Sequence, residues 1–203
     1  QNGCYGIRDV ALSVPTLVGL LQRRAARYRD RVAFSFSGNG EDDGIPVTYH
    51  ELDAKARAIA ANLQQQGAAG GRVLVLCQPG LDFIAGFFGC LYAGAVAVPV
   101  HPSVREHLVG RVASIVADVQ PDFALTTAES QAKIRTTVDG LVEGRPLRWC
   151  LTDTVVGDGQ EWVAPGIDAS TPAMVQYTSG STSSPKGVEL THGNLIHNLE
   201  AIR

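Results

Sequence analysis

Cysteine is sparse and poorly spaced for metal work. The four in the chain stand at 4, 77, 90 and 150, and no pair has a metal-ligand separation. Two of them lie in apolar runs, so buried free thiols are expected. Lysine is scarcer still, at positions 55, 133 and 186 only, the other basic residues being arginine. A net charge of −3 gives no basis for a nucleic-acid partner or an anionic membrane surface. There is no internal repeat and no low-complexity tract, no secretory leader is visible, and Gln1 stands where an initiator Met is expected, as in a chain trimmed at its start. No histidine–carboxylate–nucleophile constellation emerges, which leaves hydrolase chemistry without support. What remains is a chain of 203 residues, 45% apolar, able to bury a sizeable core as one large domain or as a piece of a larger one. That composition agrees with a soluble, cytoplasmic enzyme.

Leu81 to Val100 is nearly unbroken in apolar residues and is long enough to span a bilayer on length alone. Asp82 lies inside it, Pro99 ends it beside His101 and Pro102, and Gly94 divides it into a helical half (82–93) and a β-rich half (95–100). A buried helix feeding a buried parallel strand accounts for all of this, with no transmembrane segment. Gly86 and Gly89 cost helix propensity but let that helix lie close to a neighbour. The rest alternates in the same way. A helical stripe (Leu17, Leu20, Leu21, Ala25, Tyr28) precedes a strand at 32–37 and a polar, acidic turn at 38–44. Thr48 and Glu51 make a capping box for a helix striped by Leu52, Ala56, Ile59 and Leu63. Strands at 72–77, 122–126 and 147–151 alternate with helices over 108–119 and around 129–142. Repeated helix–strand alternation predicts an α/β fold, with helices layered around a mostly parallel sheet. The Gly- and Asp-rich stretch 153–170 reads as the most flexible part of the chain.

The most informative segment is Tyr177-Thr-Ser-Gly-Ser-Thr-Ser-Ser-Pro-Lys-Gly187, with an apolar, strand-like approach from Pro172 to Gln176 and Val188-Glu-Leu190 behind it. A triphosphate needs closely approaching backbone N–H groups, hydroxyl donors and one compact cation. Gly180 and Gly187 permit the positive-φ geometry that turns several N–H groups inward. Lys186 supplies the point charge, and Pro185 stiffens the loop ahead of it. A Ser/Gly-rich linker has the same composition, but it needs neither a lone lysine after proline nor strand-like segments on both sides. The Walker loop is a poor match: Pro185 stands where its second Gly belongs, and Gly187 replaces its Ser/Thr. His192, at the start of a helix, and His101, after a strand end where α/β ligands sit, are candidates to approach a nucleotide, but both read better as partly exposed loop residues, and His50, His107 and His197 as solvated positions on helices.

Tyr-Thr-Ser-Gly-Ser-Thr, two variable residues and Pro-Lys-Gly resembles the phosphate-binding motif of the adenylate-forming enzymes. These are the acyl-CoA synthetases, fatty acyl-AMP ligases, luciferases and peptide-synthetase adenylation domains. The likeness extends through Val47-Thr-Tyr-His-Glu-Leu-Asp53, Ala56-Arg-Ala-Ile-Ala-Ala-Asn-Leu63, Gly89-Cys-Leu-Tyr-Ala-Gly94, Ala97-Val-Pro-Val-His-Pro102 and Thr191-His-Gly-Asn194. The wording is most similar to the fatty acyl-AMP ligases. This resemblance implies that ATP and a fatty acid give an acyl-adenylate and pyrophosphate, Mg²⁺ arriving with the ATP, and that the acyl group then passes to the phosphopantetheine of an acyl carrier protein. A fatty acyl-CoA synthetase shares the first half-reaction, and a catalytically silent adenylation-like module is the reading from another class. It also implies that Thr178, Ser179, Gly180, Ser181 and Thr182 bind the phosphates, with Lys186 both binding them and acting catalytically. Residues 1–203 are then expected to form the first part of a large AMP-binding domain, inactive alone, with adenine, ribose and Mg²⁺ contacts and a catalytic lysine farther along.

Overall fold

The computed structural model describes residues 14–36, 45–102, 106–142, 144, 146–178 and 185–202, with the backbone alone for 106–108. Helix α1 (Leu17–Arg27) is capped by Thr16, whose Oγ1 accepts the Gly19 N–H at 3.1 Å. Strands β1 (Val32–Phe36) and β2 (Ile45–Thr48) form a separate antiparallel hairpin. The expected acidic turn, 38–44, lies between them, outside the described residues. Helix α2 (Tyr49–Gln65) starts where the sequence says it must. Thr48 Oγ1 accepts the Glu51 N–H at 3.2 Å, and the Glu51 carboxylate accepts the Thr48 N–H at 2.8 Å. Its stripe of Leu52, Ala56, Ile59 and Leu63 is buried throughout.

Ten further elements follow: β3 (Arg72–Val75), α3 (Leu81–Tyr92), β4 (Val96–Pro99), α4 (Glu106–Val119), β5 (Phe123–Thr126), α5 (Ala128–Asp139), β6 (Arg148–Leu151), β7 (Pro172–Thr178), β8 (Lys186–Thr191) and α6 (His192–Ala201). The main sheet runs β6-β5-β3-β4-β7-β8, parallel except for the final antiparallel β7–β8 pair. From β3 to β4 the sheet grows one way; from β4 to β5 the chain jumps back across β3. Parallel crossovers are right-handed, so the connecting helix must change face at that reversal. The core shows the change. Val73, Val75, Ala97, Phe123 and Leu125 point to a layer built by α1, α2, α3 and α6, while Leu74, Leu76, Val98 and Ala124 point to α4 and α5.

The apolar run 81–100 resolves into α3, a turn and β4, and among the described residues no helix is long and apolar enough to cross a membrane. Close approach explains its glycines. A Cβ at Gly89 would stand 2.4 Å from Ile59 Cγ2 on α2, and one at Gly86 would stand 2.4 Å from Leu125 Cδ2 on β5. Cys77, Cys90 and Cys150 are buried and free, as expected, and burial pushes the Cys77 and Cys150 thiols up to about 12. Cys4 lies outside the described residues.

The expectation of a flexible stretch at 153–170 needs correction. It lacks regular structure but is tied to the helices beneath it. Gln64 Nε2 donates to the Val163 carbonyl at 2.7 Å, and Gln64 Oε1 accepts the Val163 N–H at 3.2 Å. Trp162 Nε1 donates to the Tyr92 carbonyl at 2.7 Å, and the Arg57 guanidinium lies 4.4 Å from the Trp162 ring centre. Asp53 holds the other side of this clasp, accepting from Arg57 Nε at 2.7 Å and from the Tyr92 hydroxyl at 2.6 Å. Burial and this carboxylate acceptor keep the Tyr92 phenol protonated at all ordinary pH.

Candidate active site

Strand β7 runs parallel to β4, with Met174 opposite Ala97, so Thr178 leaves the sheet at the carboxyl edge. Ligands of open α/β sheets sit outside this edge. Strand β8 returns antiparallel, pairing Lys186 with Thr178 and Gly187 with Tyr177. The hairpin thus places a hydroxyl and the lysine at the two feet of one connecting loop. Both side chains are exposed. Among the described residues no carboxylate forms an ion pair with Lys186, as the pairs present are Lys55–Asp82, Arg57–Asp53, Lys133–Glu129 and Arg135–Asp139. Ser179, Gly180, Ser181 and Thr182, the other expected phosphate contacts, lie outside the described residues.

Gly187 corrects one expectation. Its φ is not positive, so it is not needed there for a turn. A Cβ at this position would lie 2.9 Å from Tyr177 Cζ and 3.0 Å from Val175 Cγ1. Glycine at 187 leaves room for the tip of the Tyr177 ring against β8.

Two side chains that sequence reasoning did not single out meet Tyr177 from α4. Arg111 Nη2 donates to the Tyr177 carbonyl at 3.3 Å, and the Tyr177 hydroxyl donates to the Asp118 carboxylate. Partial burial, with Asp118 as acceptor, raises the Tyr177 phenol well above its ordinary range. Arg111 and Asp118 are seven positions apart, two helical turns, and flank the apolar stripe of Val112, Ile115 and Val119. That spacing was the available signal. Beside them a cleft of about 350 Å³ opens, lined by Val100, His101, Arg111, Ile115 and Tyr177 among others. His101 is exposed at its mouth, as expected. Among the described residues no group of three or more His, Cys, Asp or Glu side chains could hold a metal ion.

His192 is not the partly exposed residue that its position suggested. It opens α6, is 1% exposed, and its Nδ1 accepts the Leu17 N–H at 3.3 Å. Burial lowers its pKa from 6.5 to about 4, against a smaller opposing pull from Asp168. His197 is exposed and His50 is half-buried with Arg29 Nη2 at 2.7 Å; the side chain of His107 lies outside the described residues. The neutral His192 has a consequence for stability. Its full contribution is present above pH 6.5, and it is lost as pH falls toward 4, because only the unfolded chain takes up the proton readily. Up to about 3 kcal/mol is at stake over that interval. Denaturant midpoints measured at pH 7.5, 5.5 and 4.5 should fall with pH, and His192→Gln should flatten the lower part of that fall. An equal pH slope in the variant would show that the imidazole is not protonated on unfolding.

Comparison with known proteins bears on the same chain. The sequence profile of a family described as AMP-binding enzyme matches residues 21–203. A medium-chain-fatty-acid–[acyl-carrier-protein] ligase, JamA, from Moorena producens is 42% identical over 193 residues, covering 93% of this chain and 33% of its own length. The long-chain-fatty-acid–AMP ligase FadD32 of Mycolicibacterium smegmatis is 36% identical over 201 residues, 95% of this chain and 32% of its own. The crystal structure of a fatty acid AMP ligase from Legionella pneumophila superposes with a TM-score of 0.87 at 33% identity, over 97% of this chain and 34% of that one. The chain therefore spans about a third of the length of the relatives it matches.

Proposed function

Because the chain belongs to the AMP-binding enzyme family, we propose that it supplies the nucleotide-phosphate hairpin of a fatty acyl-AMP ligase. The complete enzyme activates a fatty acid with ATP in the cytoplasm and passes the acyl group to the phosphopantetheine thiol of an acyl carrier protein. A carboxylate oxygen attacks the α-phosphorus, the bond to the β-phosphate oxygen breaks, and pyrophosphate leaves. Charge grows on an already crowded triphosphate, so donors fixed in advance lower the barrier most. Thr178, Ser179, Ser181 and Thr182 serve as those donors, Gly180 gives the backbone its close approach, and Lys186 neutralises the departing pyrophosphate. Mg²⁺ would arrive with the nucleotide, bound to its phosphate oxygens. Residues 1–203 form the first part of the large domain, and the adenine, ribose and acyl contacts come from further sequence.

The observation that carries this reading is the register of the hairpin, with Thr178 facing Lys186 at the carboxyl edge of the sheet. The names of the relatives supply the acyl substrate and the carrier. The test uses the full-length enzyme with Mg²⁺-ATP and a labelled long-chain fatty acid, adding CoA or a phosphopantetheinylated carrier protein in parallel. An acyl-adenylate that ignores CoA and loads the carrier is the expected result. Conversion to acyl-CoA would make the enzyme a synthetase, and no adenylate at all would leave a silent adenylation-like module.

A further inference from the structure

The phosphate-loop reading gives the hairpin its chemistry but leaves Arg111, Asp118 and the Tyr177 hydroxyl without a task. These three form a grip on the last turn of chain before the loop. The Tyr177 carbonyl belongs to the peptide that carries the Thr178 N–H, so the Arg111 guanidinium at 3.3 Å fixes the plane of the peptide from which the loop departs. Asp118, two turns farther along α4, takes the phenol hydroxyl and anchors the far end of the side chain. The ring in turn lies on Gly187, the residue next to Lys186, where any Cβ would collide with it. One residue thus touches both feet of the loop: through its backbone it sets Thr178, and through the tip of its ring it sets the β8 residue beside Lys186.

We propose that Arg111 and Asp118 are positioning residues for adenylation, acting through Tyr177 to hold Thr178 and Lys186 at the separation the triphosphate requires. The inference rests on the phosphate reading of the hairpin. Neither residue needs to touch the nucleotide. The bonds from α4 are not required to build the sheet, because β7 is already paired on both sides, by β4 and β8. What they add is a fixed exit direction for the loop. Displacements below 1 Å at such a point are enough to alter an adenylyl-transfer rate, since misplacement by about 1 Å can cost about a hundredfold.

The experiment measures fatty-acid-dependent ATP–pyrophosphate exchange by the complete enzyme, wild type against Arg111→Met, Arg111→Lys and Tyr177→Phe. Tyr177→Phe keeps the ring on Gly187 and removes only the link to Asp118. Arg111→Met and Tyr177→Phe should lower kcat/KM for Mg²⁺-ATP by about five- to tenfold while KM for the fatty acid stays within about twofold. Arg111→Lys, which keeps a donor, should recover at least half of the loss. Unchanged ATP kinetics in folded Arg111→Met would overturn the inference, and so would equal shifts in both KM values, the mark of general loosening. If Arg111→Met does not fold, Tyr177→Phe and Arg111→Lys decide by the same criteria. An inactive wild-type enzyme would instead remove the phosphate reading itself, and the inference with it.

Discussion

Lys186→Ala in the complete enzyme is expected to slow acyl-adenylate formation by at least about tenfold. A charge-assisted hydrogen bond is worth about 1.5–3 kcal/mol, and about 1.4 kcal/mol is a decade in rate. The loss should therefore fall between about tenfold and about a hundredfold. It should appear without a stability cost, because Lys186 is exposed and no described carboxylate pairs with it. That separates a chemical role from a structural one. The melting temperature should stay put while pyrophosphate exchange collapses. Lys186→Arg should restore only part of the rate, since a planar guanidinium on a longer reach cannot stand in for a compact ammonium facing Thr178. A Lys186→Ala enzyme that exchanges pyrophosphate at the wild-type rate would refute the role.

The largest effect on stability is expected at Gly89. Two forces oppose each other there. Alanine in a helix interior is favoured over glycine by about 1 kcal/mol. Against that, a Cβ would sit 2.4 Å from Ile59 Cγ2 and 2.8 Å from Ile59 Cβ, and Ile59 is completely buried on the face of α2 that packs against α3. Overpacking a filled core costs about 1–3 kcal/mol, and here the obstacle is a β-branched carbon that cannot swing away. Crowding should win. Gly89→Ala is expected to lower stability by about 1–2 kcal/mol and Gly89→Val by about 3 kcal/mol or more, a large share of the 5–15 kcal/mol that holds a typical domain together. Chemical denaturation with a fixed m-value provides the measurement. A Gly89→Ala protein as stable as wild type would mean that the two helices are not packed this closely.

Local signals carried most of the fold. The Thr48–Glu51 box, the helical stripes and the split of residues 81–100 each depend on neighbours a few residues apart, and the structure places each element within a few residues of the expected span. The parallel core followed from alternation alone. What the sequence hid depends on partners far along the chain. His192 is buried because the Leu17 N–H, 175 residues away, points at its ring. The role of Gly187 needs the Tyr177 ring, which only the antiparallel register of β7 and β8 brings across it. Likewise the stretch after Asp153 has a loop's composition, and only Trp162 and Val163 meeting α2 reveal its anchorage. Of the candidate site, the two feet of the hairpin were legible as residue types. Their support from Arg111 and Asp118 was not, because a charged pair beside an apolar stripe ordinarily faces water.

The clasp between residues 53–65 and the stretch around Trp162 has a consequence for how the chain is made. Gln64 and Val163 are 99 residues apart, and β4 must wait for β7 to cover the side that faces away from β3. While the ribosome is still synthesising the intervening helices, β4 presents an open row of backbone donors and acceptors flanked by valines. Contacts of such long separation form slowly, and an unpaired apolar edge recruits other nascent chains. Slowing translation between residues 100 and 172 should thus prolong the vulnerable interval, and mutations that weaken the clasp should lower soluble yield more than they lower the stability of molecules that have already folded.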